Sequence, residues 1–88
     1  MNETLKATIS KQFRNTTMGF LRIKRNINIL HLSNKQTESY LEKIILSTPI
    51  KDIQTKGKNY YFECIEYNVI LTINSHTFTI ITAKQIVK

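Results

Sequence analysis

Three groups of side chains in this chain carry recognisable chemistry. Arg22, Lys24 and Arg25 crowd one short stretch. The guanidinium is a planar, permanently charged fork that suits a phosphate clamp, and the same set also reads as a solvated helix face. Lys56 and Lys58 flank Gly57, and Tyr60 and Tyr61 follow at once. Two ammonium groups on a turn beside paired tyrosines offer phosphate contact and base stacking together. The plainer reading is a soluble turn with one core tyrosine. Ser75, Thr77, Thr79 and Thr82 make the last segment rich in hydroxyls. They suit a polar, phosphate-binding sheet face, although threonine favours strands without any site. His76 stands in the turn before that segment. It reads either as a solvated turn histidine or as a general acid–base group, since imidazole titrates at about 6.5.

Other chemistries are poorly served. His31, His76 and Cys64 lie far apart, without the paired spacing of a zinc site. Gly19 and Gly57 are isolated, so neither a P-loop nor a dinucleotide fingerprint is present. No cofactor is expected. Cys64 reads as a small buried hydrophobe, and His31, between Leu30 and Leu32, as structural. A lone cysteine forms no internal disulfide, which points to a reducing cytoplasm. No apolar run approaches the ~18 residues of a membrane span, and the first residues lack the apolar core of a signal peptide.

The elements must position these groups within 88 residues, enough for one domain with a two-layer core but not for a deep enclosed site. Fourteen isoleucines argue against disorder. The net charge of +7 is uneven, and all three arginines lie in the first third. A cationic patch of this kind bears on partners rather than on fold. The chain divides at Pro49 into a helical half, 1–48, and a sheet half, 50–88. Leu5, Ile9 and Phe13 form a helical stripe over 3–14. Thr17 is placed to cap a second helix with Phe20, Ile23 and Ile27 inward. Ser33 and Gln36 spell a capping box for a third, with Tyr40, Leu41, Ile44 and Ile45 as its apolar face, and Thr48-Pro49 ends it. Strands are expected at Ile50–Thr55, Tyr60–Glu66, Val69–Asn74 and Thr77–Thr82, with Ala83–Lys88 extending the last or fraying. Short turns between neighbours imply an antiparallel meander. The expected fold is α+β: two or three N-terminal helices on one face of a four-stranded antiparallel sheet. Tyr60, Phe62 and Cys64 favour the covered face, which leaves Tyr61 as the stacking residue.

The segments TTMGFLRIKRN (16–26), GKNYYFECIEYNVILTIN (57–74) and SHTFTIITAKQI (75–86) resemble a family of short bacterial proteins known only as a domain of unknown function. More distantly, helices followed by four antiparallel strands ending in T-F-T-I-I-T are similar to the small nuclease fold shared by barnase, EndoU, colicin-type tRNases and RelE. Arg22 matches an arginine that such toxins carry on an early helix. Met18 stands where related toxins often have histidine. The resemblance implies a metal-independent ribonuclease of toxin type that leaves a 2′,3′-cyclic phosphate, with an antitoxin or other acidic protein as partner. On this reading Arg22 and Lys58 stabilise the phosphate charge and Tyr60 stacks or moves a proton. Ser75 and Thr79 hold the scissile phosphate, and His76 supplies acid–base chemistry. Lys24, Arg25, Lys56, Tyr61 and Thr77 bind RNA alongside. Two alternatives stay open: a nucleic-acid-binding module without catalysis, and a protein-interaction regulator or inhibitor from a mobile element. The oligomeric state is open as well.

Overall fold

Capping signals set the helix boundaries. In a computed structural model that describes residues 1–86, Asn2 accepts the Leu5 N–H at 2.7 Å and opens α1 (Glu3–Gln12). Thr16, not Thr17, caps α2 (Thr17–Asn26): its hydroxyl accepts the Gly19 N–H at 2.9 Å. Adjacent threonines are equivalent caps by type, and the extended backbone at position 16 selects between them. The capping box at Ser33 and Gln36 is present in full and opens α3 (Asn34–Ser47), which stops before Thr48 and Pro49 as expected.

Beyond Pro49 four strands form an antiparallel meander in chain order: β1 (Ile53–Lys56), β2 (Asn59–Cys64), β3 (Val69–Asn74) and β4 (Ile80–Gln85). The α+β architecture and the third strand match the sequence expectation. The first strand is shorter than expected, because Ile50–Asp52 closes a 3-10 turn with the Asp52 N–H on the Pro49 carbonyl at 2.9 Å. The second strand ends at Cys64 rather than Glu66, where Ile65–Asn68 turns with Asn68 at φ 59°. The fourth strand begins at Ile80, not Thr77, and runs on to Gln85. Val87 and Lys88 of the expected tail lie outside the described residues.

The helices cover one sheet face. Its buried residues are Ile53, Phe62, Cys64, Val69, Leu71, Ile73, Ile80 and Ala83, which meet Ile9, Ile23, Ile27, Leu41, Ile44 and Ile45 in one core. Phe62, Leu41, Ile44 and Leu71 are fully buried, and each such side chain contributes about 1.5–3 kcal/mol by leaving water. α1 and α2 each pack against α3, and α2 lies on β4. Lys6 is buried and joins α1 to the end of α3: its ammonium donates to the carbonyls of Leu46 (3.2 Å) and Thr48 (3.1 Å). These carbonyls are among the last of the helix, which have no partner inside it and carry the negative end of its dipole.

Candidate nucleic-acid interface

In a meander the first and third turns fall at one end of the sheet and the second at the other. The β1–β2 turn therefore meets the β3–β4 turn. Gly57 stands at φ +58°, where a side chain would be strained whatever the space around it. The Ser75 N–H donates to the Lys58 carbonyl at 2.8 Å and ties the two turns together. Lys56, Lys58, Ser75, His76 and Thr77 are gathered at this end, and both lysines, His76 and Thr77 are exposed.

The β3–β4 connection is a built loop. Asn74 Oδ1 accepts the N–H groups of His76 (2.8 Å) and Thr77 (3.0 Å), and the Phe78 N–H reaches the Asn74 carbonyl at 2.9 Å. Such side-chain turns are a habit of asparagine. They remove Thr77 and Thr79 from the sheet face where the sequence pattern put them. The two hydroxyls bond each other instead, Thr77 to Thr79 at 2.9 Å. Phe78 stands at φ 58°, a rare conformation for a bulky side chain. What holds it there comes from far along the chain. The Arg14 N–H donates to the Phe78 carbonyl at 3.0 Å, and the Ile80 N–H donates to the Arg14 carbonyl at 2.9 Å. Arg14 thereby forms a parallel bridge with Thr79. A cleft of ≈ 550 Å³ opens between the segments, lined by Gln12, Arg14, His76, Thr77 and Phe78.

Arg14 is the residue that sequence reasoning missed. It falls off the apolar stripe of α1 and belongs to no local cluster, and its partner segment lies beyond the whole of α2 and α3. No spacing rule joins them.

The remaining candidates sit elsewhere. Arg22 and Arg25 are exposed on α2, and the Lys24 ammonium donates to Asn34 Oδ1 at 2.8 Å. α2 lies over β4, whereas Lys56 closes β1 at the opposite edge of the sheet, three strand spacings or about 14 Å across. Tyr60 is half-buried against the core. Tyr61 is on the uncovered face, in a row that crosses all four strands: Gln54, Tyr61, Thr72, Thr82. A bulge in the β3–β4 pairing puts Thr82 on this face, opposite to Ile80 rather than beside it. Tyr61, Ile70, Thr72, Thr82, Lys84 and Ile86 line a shallow cleft of ≈ 400 Å³ there. The arrangement offers a ring face, hydroxyls and an ammonium group side by side.

Among the described residues a single ion pair occurs, Lys6 with Glu3 at 3.4 Å, so the cations at the hairpin end and on α2 make none there, although Arg14 also lines a cleft with Glu38 and Glu42. No group of three or more His, Cys, Asp or Glu among these residues is placed to hold a metal ion, and no helix is long and apolar enough to cross a membrane.

The chain belongs to the family described as "Protein of unknown function (DUF3781)", whose profile matches residues 7–84. No curated protein and no solved structure matches it.

Proposed function

We propose that this protein binds single-stranded RNA across its hairpin end and uncovered sheet face. Arg14, Lys56 and Lys58 contact phosphates, the Ser75 and Thr77 groups hydrogen-bond the backbone, and Tyr61 stacks a base. The observation that carries this reading is the β3–β4 loop, which is tied to Arg14 on one side and through Ser75 to Lys58 of the β1–β2 turn on the other, beside a sheet face with an accessible tyrosine. Cationic tracks next to an aromatic platform are the common means of holding single strands. The test is fluorescence anisotropy with a labelled single-stranded RNA. Lys58→Ala and Arg14→Ala should each weaken binding, and Tyr61→Ala should weaken it by about 1–3 kcal/mol, the usual worth of one stacked base. Wild-type protein that leaves the RNA free at low salt overturns the reading.

Cleavage is the second reading, supported by His76 and Arg14 on one cleft. The RNA 2′-hydroxyl would attack the adjacent phosphorus and lose its proton to the His76 imidazole. The 5′-oxygen would leave as the 5′-hydroxyl, taking a proton from water, and the P–O5′ bond breaks to give a 2′,3′-cyclic phosphate, while Arg14 and Lys58 stabilise the charged intermediate. Sequencing of cyclic-phosphate ends after induced expression tests it. Ends that vanish with His76→Ala in a folded, RNA-binding protein support cleavage. RNA that stays intact under wild-type expression leaves binding alone.

A further inference from the structure

α2 carries two apolar stripes, and only one faces the core. Ile23 and Ile27 are buried. Met18 is 76% and Leu21 53% exposed, and with Arg22 and Arg25 they occupy positions i, i+3, i+4 and i+7, one continuous outer stripe. Beneath the helix, β4 is an edge strand with β3 as its sole neighbour. Its first residue, Ile80, is tied to Arg14. No backbone bond from outside the sheet reaches the free edge beyond it among the described residues. The bulge turns Ile81 outward, 45% exposed.

We infer that the outer stripe of α2 and the adjoining β4 edge form the docking surface for an acidic, apolar segment of a protein partner. α2 has no acidic residue, and neither Arg22 nor Arg25 has an ionic partner among the described residues. Methionine and arginine are enriched at protein interfaces, where lysine is depleted. A second copy fits badly: a two-fold contact repeats the same patch on both sides and would set these arginines against their own mates on a chain of charge +7. RNA rewards the arginines but not the exposed Met18 and Leu21. An anionic lipid surface would reward both, but it has no use for the free backbone groups of an edge strand, which an extended peptide satisfies by strand addition. This surface adjoins the proposed RNA interface at Arg14, but Met18, Leu21, Arg22 and Arg25 are not among the residues proposed to contact RNA, so the two readings fail independently.

The test introduces a photo-cross-linking residue at Leu21 of the full chain, and in a parallel chain at exposed Lys43 on α3, in cells of the native host. Cross-linked peptides are then sequenced by mass spectrometry. The inference expects peptides from one protein, with Asp or Glu interleaved among apolar residues, at position 21 and not at 43. Their yield should fall about tenfold or more when Arg22→Glu and Arg25→Glu place like charges against the partner. Folding of that variant is checked by circular dichroism, and Arg22→Gln with Arg25→Gln replaces it if it does not fold. Cross-links to lipid, to RNA, to a second copy of the chain or to segments without acidic residues overturn the inference. So do equal yields at both positions, a yield indifferent to the arginines, or none.

Discussion

Lys6 keeps an ammonium group in the core because three acceptors replace its water: the carbonyls of Leu46 and Thr48, and Glu3 at the rim. Lys6→Met keeps the aliphatic stem but leaves both carbonyls unanswered. Bonds to charged groups contribute about 1.5–3 kcal/mol, so urea unfolding should show a loss in that range. A midpoint equal to wild type would mean that water takes over both carbonyls. Tyr40 makes a different kind of claim. Burial pushes its hydroxyl above the ordinary 10.0, helped by Tyr67, whose ring lies 5.5 Å away, and by Cys64. A folded-state value above the unfolded one means that the folded chain holds this proton more tightly. The corresponding stability is complete below 10.0 and is lost as pH rises through the raised value. Unfolding curves should therefore show an alkaline loss that shrinks in Tyr40→Phe, with little difference between the two proteins at neutral pH. A loss of equal size in both would assign it to other groups.

The turns are where elements depend on conformation more than on contact, and two of them make opposite predictions. Gly57 and Asn68 share the left-handed region, at φ 58° and 59°. Nothing lies within 4 Å of a Cβ added at Gly57, so Gly57→Ala costs only the backbone strain, about 1 kcal/mol in thermal or urea unfolding. Asn68 has a buried Oδ1 without a partner, while its backbone bonds to Ile65 and Ile86 need no side chain. Asn68→Gly removes both the strain and the orphan acceptor. It should stabilise by about 1 kcal/mol, after allowance for the greater freedom of glycine in the unfolded chain. A destabilised Asn68→Gly would show that Oδ1 is well hydrated. The same turns mark what the sequence makes readable. Ser33 with Gln36, and Pro49, bound α3 through contacts within a few residues, and Val69–Asn74 alternates cleanly because one face is buried. Thr77 and Thr79 alternate just as well. Their strand pattern yields to the Asn74 side-chain turn and to the backbone of Arg14, and this second cause is invisible to any local pattern. The half of the candidate site on the β1–β2 turn was legible. The half built by Arg14 was not, because it exists only once α1 has packed beside the β3–β4 loop.

At the scale of the whole molecule the cations divide between two faces, and salt dependence can tell whether they act as one. Each phosphate neutralised on a single strand contributes about −0.7 to the slope of log affinity against log salt. Arg14, Lys56 and Lys58 together then predict a slope of about −2 for RNA binding, and Arg14→Ala or Lys58→Ala should each reduce it by about 0.7. Arg22 and Arg25 lie on the β4 side, over the far edge of the sheet from Lys56. They still contribute to the long-range field, so Arg22→Glu with Arg25→Glu should lower affinity modestly at low salt, an effect that fades as salt screens it, and should reduce the slope by less per charge than the loss of a phosphate contact does. Titrations at several salt concentrations separate the two effects, because each lost phosphate contact lowers the slope by about 0.7 and a lost distant charge lowers it by less. If the α2 variant reduces the slope as much per charge as the hairpin variants do, the RNA path runs over α2, and the two faces are a single nucleic-acid surface. If the slope follows chiefly Arg14 and Lys58, α2 is free while RNA is bound, and a protein seated on its outer stripe could coexist with the complex.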